Sequence, residues 1–172
     1  MAASPARPLR RLPVEPLTRE AFRPFGDVIA ASGAPDHWAN GGAAEVFRDR
    51  AVLDVEAEGG RPCVSIVRAA PSRLPLQIRL MERHPIGSQA FAPLGAGAWL
   101  IVAAPAGPLD SRTIRAFAAA PNQGVNYRRG VWHHPLIALG QVSDFLVIDR
   151  AGDGENLTIE SLPEPLEILA LE

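Results

Sequence analysis

Residues 76–85 read Leu76-Gln-Ile-Arg-Leu-Met-Glu-Arg-His-Pro85, a strand whose apolar side turns ionisable toward its end. Side chains alternate along a strand, so Leu76, Ile78, Leu80, Glu82 and His84 share one side and Gln77, Arg79, Met81 and Arg83 the other. Three aliphatics therefore lead into a carboxylate and an imidazole. A glutamate in an apolar interior is costly unless it is paired, hydrogen-bonded or bound to a metal, so the run reads as a place of chemistry carried by a core strand. The competing reading ends the sheet at Leu80 and leaves the pair in solvent. This stretch alone does not separate the two.

A second stretch favours chemistry. Asn122-Gln-Gly-Val-Asn-Tyr-Arg-Arg-Gly-Val-Trp-His-His-Pro135 holds two of the four histidines, and Gly124 and Gly130 read as turn residues ahead of an apolar strand. Adjacent residues point to opposite faces, so only one of His133 and His134 can face a given pocket. His133 shares parity with Val131 and Ile137, and His134 with Trp132 and Leu136. Both faces are apolar, so periodicity leaves the choice open. An ordinary core histidine bonded to a backbone carbonyl accounts for one of the pair.

Composition bounds the rest. A chain of 172 residues with 47% hydrophobic content suits one domain with a real core, and no shift in composition suggests a second. A formal charge of −2 and a pI near 6.1 argue against nucleic acid as a partner. All 17 basic residues are arginine, which excludes a lysine Schiff base and leaves guanidinium forks for carboxylate recognition. Cys63 is the only cysteine, so no intramolecular disulfide forms, and its place in an apolar run reads as a small hydrophobe. The opening residues lack the apolar core of a signal peptide, and no run reaches membrane length. A soluble, cytoplasmic protein is the expectation.

Along the chain, short strand-sized runs recur between Pro and Gly punctuation. Thr18 caps one helical turn through Phe22, and Asp27 to Ala30 starts extended structure. Strands are expected over 45–55, 61–70, 74–84, 96–104, 113–119, 131–138, 142–149 and 157–160. Residues 1–16 read as an extended N-terminal arm and 163–172 as a tail. Helical periodicity is nearly absent, so the expected fold is all-β, with one or two short helical segments. An antiparallel barrel or two-sheet jelly roll buries such strands and limits exposed edges.

The two histidine segments together resemble the paired motifs of the cupins, a jelly-roll class. Glu82-Arg-His84 stands where H-x-H would be, Gln89 where the acid would be, Gly95 near the closing glycine, and Gly130-Val-Trp-His133 matches G-x-x-H. That likeness favours His133 over His134 as the inward residue. Glu82, His84 and His133 form a metal set in altered form, able to hold a divalent ion with an open position. The same three groups can also work as acid and base without one.

One family is closer still. The blocks Leu80-Met-Glu-Arg-His-Pro-Ile-Gly-Ser-Gln-Ala-Phe91, Gln123-Gly-Val-Asn-Tyr127, Val131-Trp-His-His-Pro-Leu136 and Asp144-Phe-Leu-Val-Ile-Asp-Arg150 are similar to those of the bacterial ureidoglycolate lyases. The likeness runs from about Pro16 to Pro163, and the opening Leu17 to Ile29 and Asn40-Gly41 share it. Phe47-Arg48-Asp49 and Val67-Arg68 depart from the pattern. The resemblance implies a cupin-like jelly-roll barrel, a homodimer, and cleavage of ureidoglycolate to glyoxylate and urea in allantoin breakdown. No organic cofactor is implied; a divalent ion, Ni²⁺ or Mn²⁺, is optional. His133 is the expected general base, with Glu82 and His84 orienting it, holding the ion or returning the proton. For the substrate carboxylate the candidates are Arg68 and then Arg128, and for the ureido group Gln89, Asn126 and Tyr127. The alternatives are a non-catalytic cupin that senses a small carboxylic acid, and a metal-dependent cupin enzyme of another kind.

Overall fold

The computed structural model describes residues 9–171, so the first eight residues of the expected arm lie outside the described residues. Strands run in chain order as β1 (Arg10–Arg11), β2 (Val14–Pro16), β3 (Gly26–Ile29), β4 (His37–Ala39), β5 (Ala44–Val46), β6 (Arg61–Ala69), β7 (Pro71–Ser72) and β8 (Leu76–Arg83). They continue as β9 (Gln89–Pro93), β10 (Trp99–Ala104), β11 (Arg115–Ala119), β12 (Gly124–Tyr127), β13 (Trp132–His133), β14 (Ile137–Leu139), β15 (Ser143–Ala151) and β16 (Thr158–Ile168). Among the described residues the one α-helix, α1 (Arg19–Phe22), is a single turn whose Ala21 amide donates to Thr18 Oγ1 at 3.1 Å, as the sequence predicts. The chain is all-β and cupin-like.

Two sheets carry the fold. The larger follows the order β1-β16-β8-β13-β10-β11-β2, with β14 on β10 and β7 on β14; the smaller follows β3-β12-β9-β15-β6. The sheets do not close into a barrel. β1 and β2 hold opposite edges of the larger sheet with only Leu12 and Pro13 between them, so that sheet curls until its edges lie within about 11 Å of each other. This curl makes a second core. Phe22, Phe25, Phe117, Tyr127 and Phe145 pack between the two sheets, while Ile78, Met81, Leu100, Trp132 and Ile168 pack on the other side of the larger one. β10 lies between both: Trp99, Ile101 and Ala103 face the first core, and Leu100, Val102 and Ala104 the second. An unbroken apolar run is what a strand buried on both faces requires.

The structure corrects several readings of the sequence, among them the strand expected over 45–55, of which only β5 (Ala44–Val46) forms. Ile78 and Met81 share one core although an odd spacing separates them, so β8 changes the parity that it buries between these residues. Its partner β16 loses register there: Ser161 lies opposite Leu80 and Leu166 opposite Ile78, so four residues of β16 face one of β8. A bulge of this kind swaps faces without ending the strand. Leu80 therefore stays half-buried, and Glu82 faces the inter-sheet core instead of continuing the Ile78 row. Residues 163–168, read as a tail, complete β16 and bury Leu166 and Ile168. Pro163 and Pro165 mask the strand in the sequence; they fall in the bulge, where no ladder hydrogen bond is required. Ile168→Ala should cost about 2–5 kcal/mol in urea unfolding, the range for a core aliphatic. A cost below about 0.5 kcal/mol, as for a surface site, would contradict this placement.

Candidate active site

Strand register brings the ionisable residues together. β13 pairs with β8 with His133 directly opposite Glu82, and β10 pairs with β13 with Ala103 opposite His133. Ala103 belongs to the inter-sheet core, so His133 and Glu82 face that interior while their neighbours Trp132 and Met81 face the second core. The smaller sheet supplies the facing row, since Tyr127 lies opposite Gln89 where β12 pairs with β9. Gly26 lies opposite Tyr127 on the far side, where a Cβ would sit 1.8 Å from the Asn126 carbonyl oxygen; only glycine lets β3 approach so closely. Gly130, at φ 74°, turns the chain into β13, and its amide donates to the His84 carbonyl at 2.8 Å. Gly124, read as a turn residue, instead opens β12.

His133 is buried and stacked on Tyr127, with ring centroids 4.2 Å apart and planes within 9°. Its Nδ1 lies 3.2 Å from the Val131 carbonyl, and its Nε2 lies 3.1 Å from Gln89 Oε1 and 3.5 Å from Glu82 Oε1. His84 packs beside it at 5.3 Å between centroids, with Nδ1 2.6 Å from the Asn156 carbonyl. A carbonyl can only accept, so Nδ1 of His84 carries a proton and its Nε2 is the ring nitrogen turned to the centre. That Nε2 is buried and has no partner.

The electrostatics follow from this packing. Burial holds the His133 imidazole below its ordinary pKa, outweighing the pull of the Glu82 carboxylate in the other direction. Burial pushes the Glu82 carboxyl up, but the hydrogen bond and charge of His133, with His84 and His134, prevail and hold it below its usual range. Burial, reinforced by the Glu82 charge, raises the Tyr127 phenol, which stays protonated. Glu82 is therefore an anion beside a ring that burial keeps neutral at neutral pH.

This donor set fits a divalent cation. Glu82, His84 and His133 each offer a ligand atom, all within 4.8 Å of one another. Both histidines turn Nδ1 to a backbone carbonyl and Nε2 inward, the outer arrangement usual for metal-binding imidazoles. With Nδ1 of His133 donating to Val131, its Nε2 lone pair would face two oxygen acceptors; a proton or a cation among them relieves that conflict.

The expected residues divide between this centre and elsewhere. Glu82, His84, His133, Gln89 and Tyr127 converge. Arg68 does not: it lies on the outer face of the edge strand β6, forks onto Asp144 at 2.8 and 2.9 Å, and sits five residues, about 17 Å, along the strand from Cys63 at the level of the site. Asn126 has the opposite parity to Tyr127 and points out of the core, donating to Asp27 Oδ2 at 3.2 Å and the Val52 carbonyl at 3.0 Å. Arg128 bonds the Arg23 carbonyl and Asp27, and lines a surface cavity of about 230 Å³ with Arg19, Arg23 and Arg50. His134 turns from the cluster and bonds the Pro135 carbonyl. Two contributors are absent from the sequence reading: Asn156, whose carbonyl sets the His84 proton, and Asp149, which reaches Gln89. Asp149 shares parity with Phe145 and Val147, a signal present in the sequence; Asn156 sits in an irregular loop with none.

The chain matches a family model described as ureidoglycolate lyase over residues 9–169. It belongs to the ureidoglycolate lyase family. Curated relatives named ureidoglycolate lyase include one from Burkholderia mallei (strain NCTC 10229), 55% identical over 158 residues, covering 92% of this chain and 93% of the relative. One from Burkholderia cepacia is 58% identical over 146 residues, covering 84% and 82%. One from Pseudomonas entomophila (strain L48) is 45% identical over 157 residues, covering 91% and 94%. The family name supports an enzyme that takes a small-molecule substrate. Among the described residues, no helix is long and apolar enough to cross a membrane.

The metal fit is open to direct test. Adding Ni²⁺ or Mn²⁺ to chelated protein should raise the melting temperature, with a stabilisation of about 2.7 kcal/mol at a hundredfold excess over Kd. His84→Ala should remove the rise. An equal rise in both proteins would place the ion elsewhere.

Proposed function

We propose that this chain is a ureidoglycolate lyase that releases glyoxylate and urea. The observation that supports the reading most is a buried imidazole, held below its ordinary pKa, directly across the ladder from a carboxylate in a chain of this family. The substrate carries a hydroxyl, a ureido nitrogen and a carboxylate on one carbon. Its collapse takes a proton from the hydroxyl, forms the C=O bond, breaks the C–N bond and returns a proton to the departing urea nitrogen. No water is consumed and no electrons are transferred.

His133 Nε2 is the general base on the hydroxyl, because Val131 holds its Nδ1 and burial keeps the ring unprotonated. Glu82 stabilises the imidazolium that forms, and the same proton then passes to the urea nitrogen. Tyr127 fixes the ring plane by stacking. One lone pair cannot serve a proton and a cation together, so this base role describes the metal-free centre. A divalent ion held by Glu82, His84 and His133 would supply polarisation of the reacting oxygen. Arg68, Asn126 and Arg128 have no place in this scheme.

The assembly proposed is a homodimer in the cytoplasm. Val64 and Ile66 on the outer face of β6 are 66% and 59% exposed, leaving an apolar edge that a second copy can cover. A sensor that binds a small acid without turnover is the competing reading.

One preparation tests these points. Purified protein given fresh ureidoglycolate should produce glyoxylate and urea in equal amounts, without ammonia, well above the uncatalysed rate, and should sediment as a dimer. His133→Asn should lower turnover by a factor of about 100 to 10,000 with the fold intact. Absent acceleration, with or without added metal, would reject the lyase reading, and near-normal turnover in the variant would reject the base.

A further inference from the structure

Asp149 has no part in the bond making and breaking described above, yet the ladder places it at the site. β15 pairs with β9 with Ile148 opposite Ala90, so the next step sets Asp149 beside Gln89; on its other side Asp149 lies opposite Cys63. A single row, Tyr127, Gln89, Asp149 and Cys63, thus crosses the smaller sheet opposite the His133 and Glu82 row of the larger one. Phe145 and Val147 share the parity of Asp149 and lie in the inter-sheet core, which fixes the direction of its side chain.

Among the described residues five of the eight aspartates are held by an arginine, and Asp149, with Asp49 and Asp153, is not. Asp27, Asp36, Asp54, Asp110 and Asp144 each pair with an arginine. Among the described residues no arginine reaches Asp149, and its donor is Gln89 Nε2, at a long 3.5 Å. Gln89 turns its other end to His133 Nε2 at 3.1 Å. Asp149 is thus a half-buried carboxylate one amide away from the reactive ring, and a single long hydrogen bond leaves it acceptor capacity for a ligand.

We propose that Asp149 is the residue that binds the ureido group, which deepens the lyase reading and rests on it. The terminal NH₂ and the inner N–H of a ureido group point the same way and offer a carboxylate two parallel donors, much as a guanidinium does. The charge of Asp149 repels the substrate's own carboxylate, so the ureido end lies toward Asp149 and Gln89 while the carbinol carbon lies by His133. Asp149 thereby sets orientation and selects ureido acids over simple hydroxy acids.

The test is direct binding to the full chain, measured calorimetrically with two probes. Ureidoacetate carries the ureido and carboxylate groups but lacks the hydroxyl, so it cannot turn over; glycolate carries hydroxyl and carboxylate only. Asp149→Ala should weaken ureidoacetate about 10- to 100-fold, the range for a hydrogen bond to a charged group, and leave glycolate within twofold. Asp149→Asn, which keeps one acceptor and the shape, should fall between, and covers the case where the alanine variant does not fold. No binding of ureidoacetate to the parent protein, equal binding in all three proteins, or parallel loss of both probes would overturn the assignment. Binding needs no turnover, so the two proposals fail separately. Turnover without the ureidoacetate effect would discard Asp149 and keep the lyase; the effect without turnover would do the reverse.

Discussion

Glu82 and His133 meet because β8 and β13 pair with these residues directly opposite each other. A slip of one residue on either strand would send one of them to the far face. Much of the structure serves that register. Met81 and Trp132, their neighbours, are fully buried in the second core, so rotating either site strand would expose a large apolar side chain. Bonds from the flanking loops act in the same direction: Gly130 to the His84 carbonyl, and the Ile86 amide to Asn156 Oδ1 at 3.0 Å.

The same register explains the chemistry. Two imidazoles directed by backbone carbonyls present their free nitrogens toward one carboxylate, in a space where burial depresses the His133 pKa and keeps Tyr127 neutral. Isolated in water these groups would titrate at their ordinary values and adopt any tautomer. Held by two sheets, they form a centre in which the Nε2 atoms of two imidazoles converge near one carboxylate. Such a centre can accept a proton from a carbinol or hold a divalent ion.

The strand content and the three central residues were legible because both depend on local pattern. Apolar runs of strand length with turn residues between them read as an all-β chain, and the blocks around Glu82, His84 and His133 resemble one family closely. What was not legible depends on pairing between distant strands. The parity change in β8 comes from a bulge in β16, about eighty residues later, where Pro163 and Pro165 suggested a tail. Arg68 and Asn126 carry suitable chemistry, but their parity places them on the outside of the smaller sheet, which becomes evident only once Ala69 and Tyr127 are known to face the core. Asp149 had the right parity and was hidden because its role comes from lying beside Gln89, an across-strand relation.

The most direct measurement is anomalous diffraction from crystals grown with Ni²⁺ or Mn²⁺. Where an ion binds, one peak is expected about 2.0–2.3 Å from the Nε2 atoms of His84 and His133, with a Glu82 oxygen at similar range. A peak bound elsewhere, or rings rotated so that Nδ1 faces the centre, would contradict the convergence of the two strands on a single reactive site.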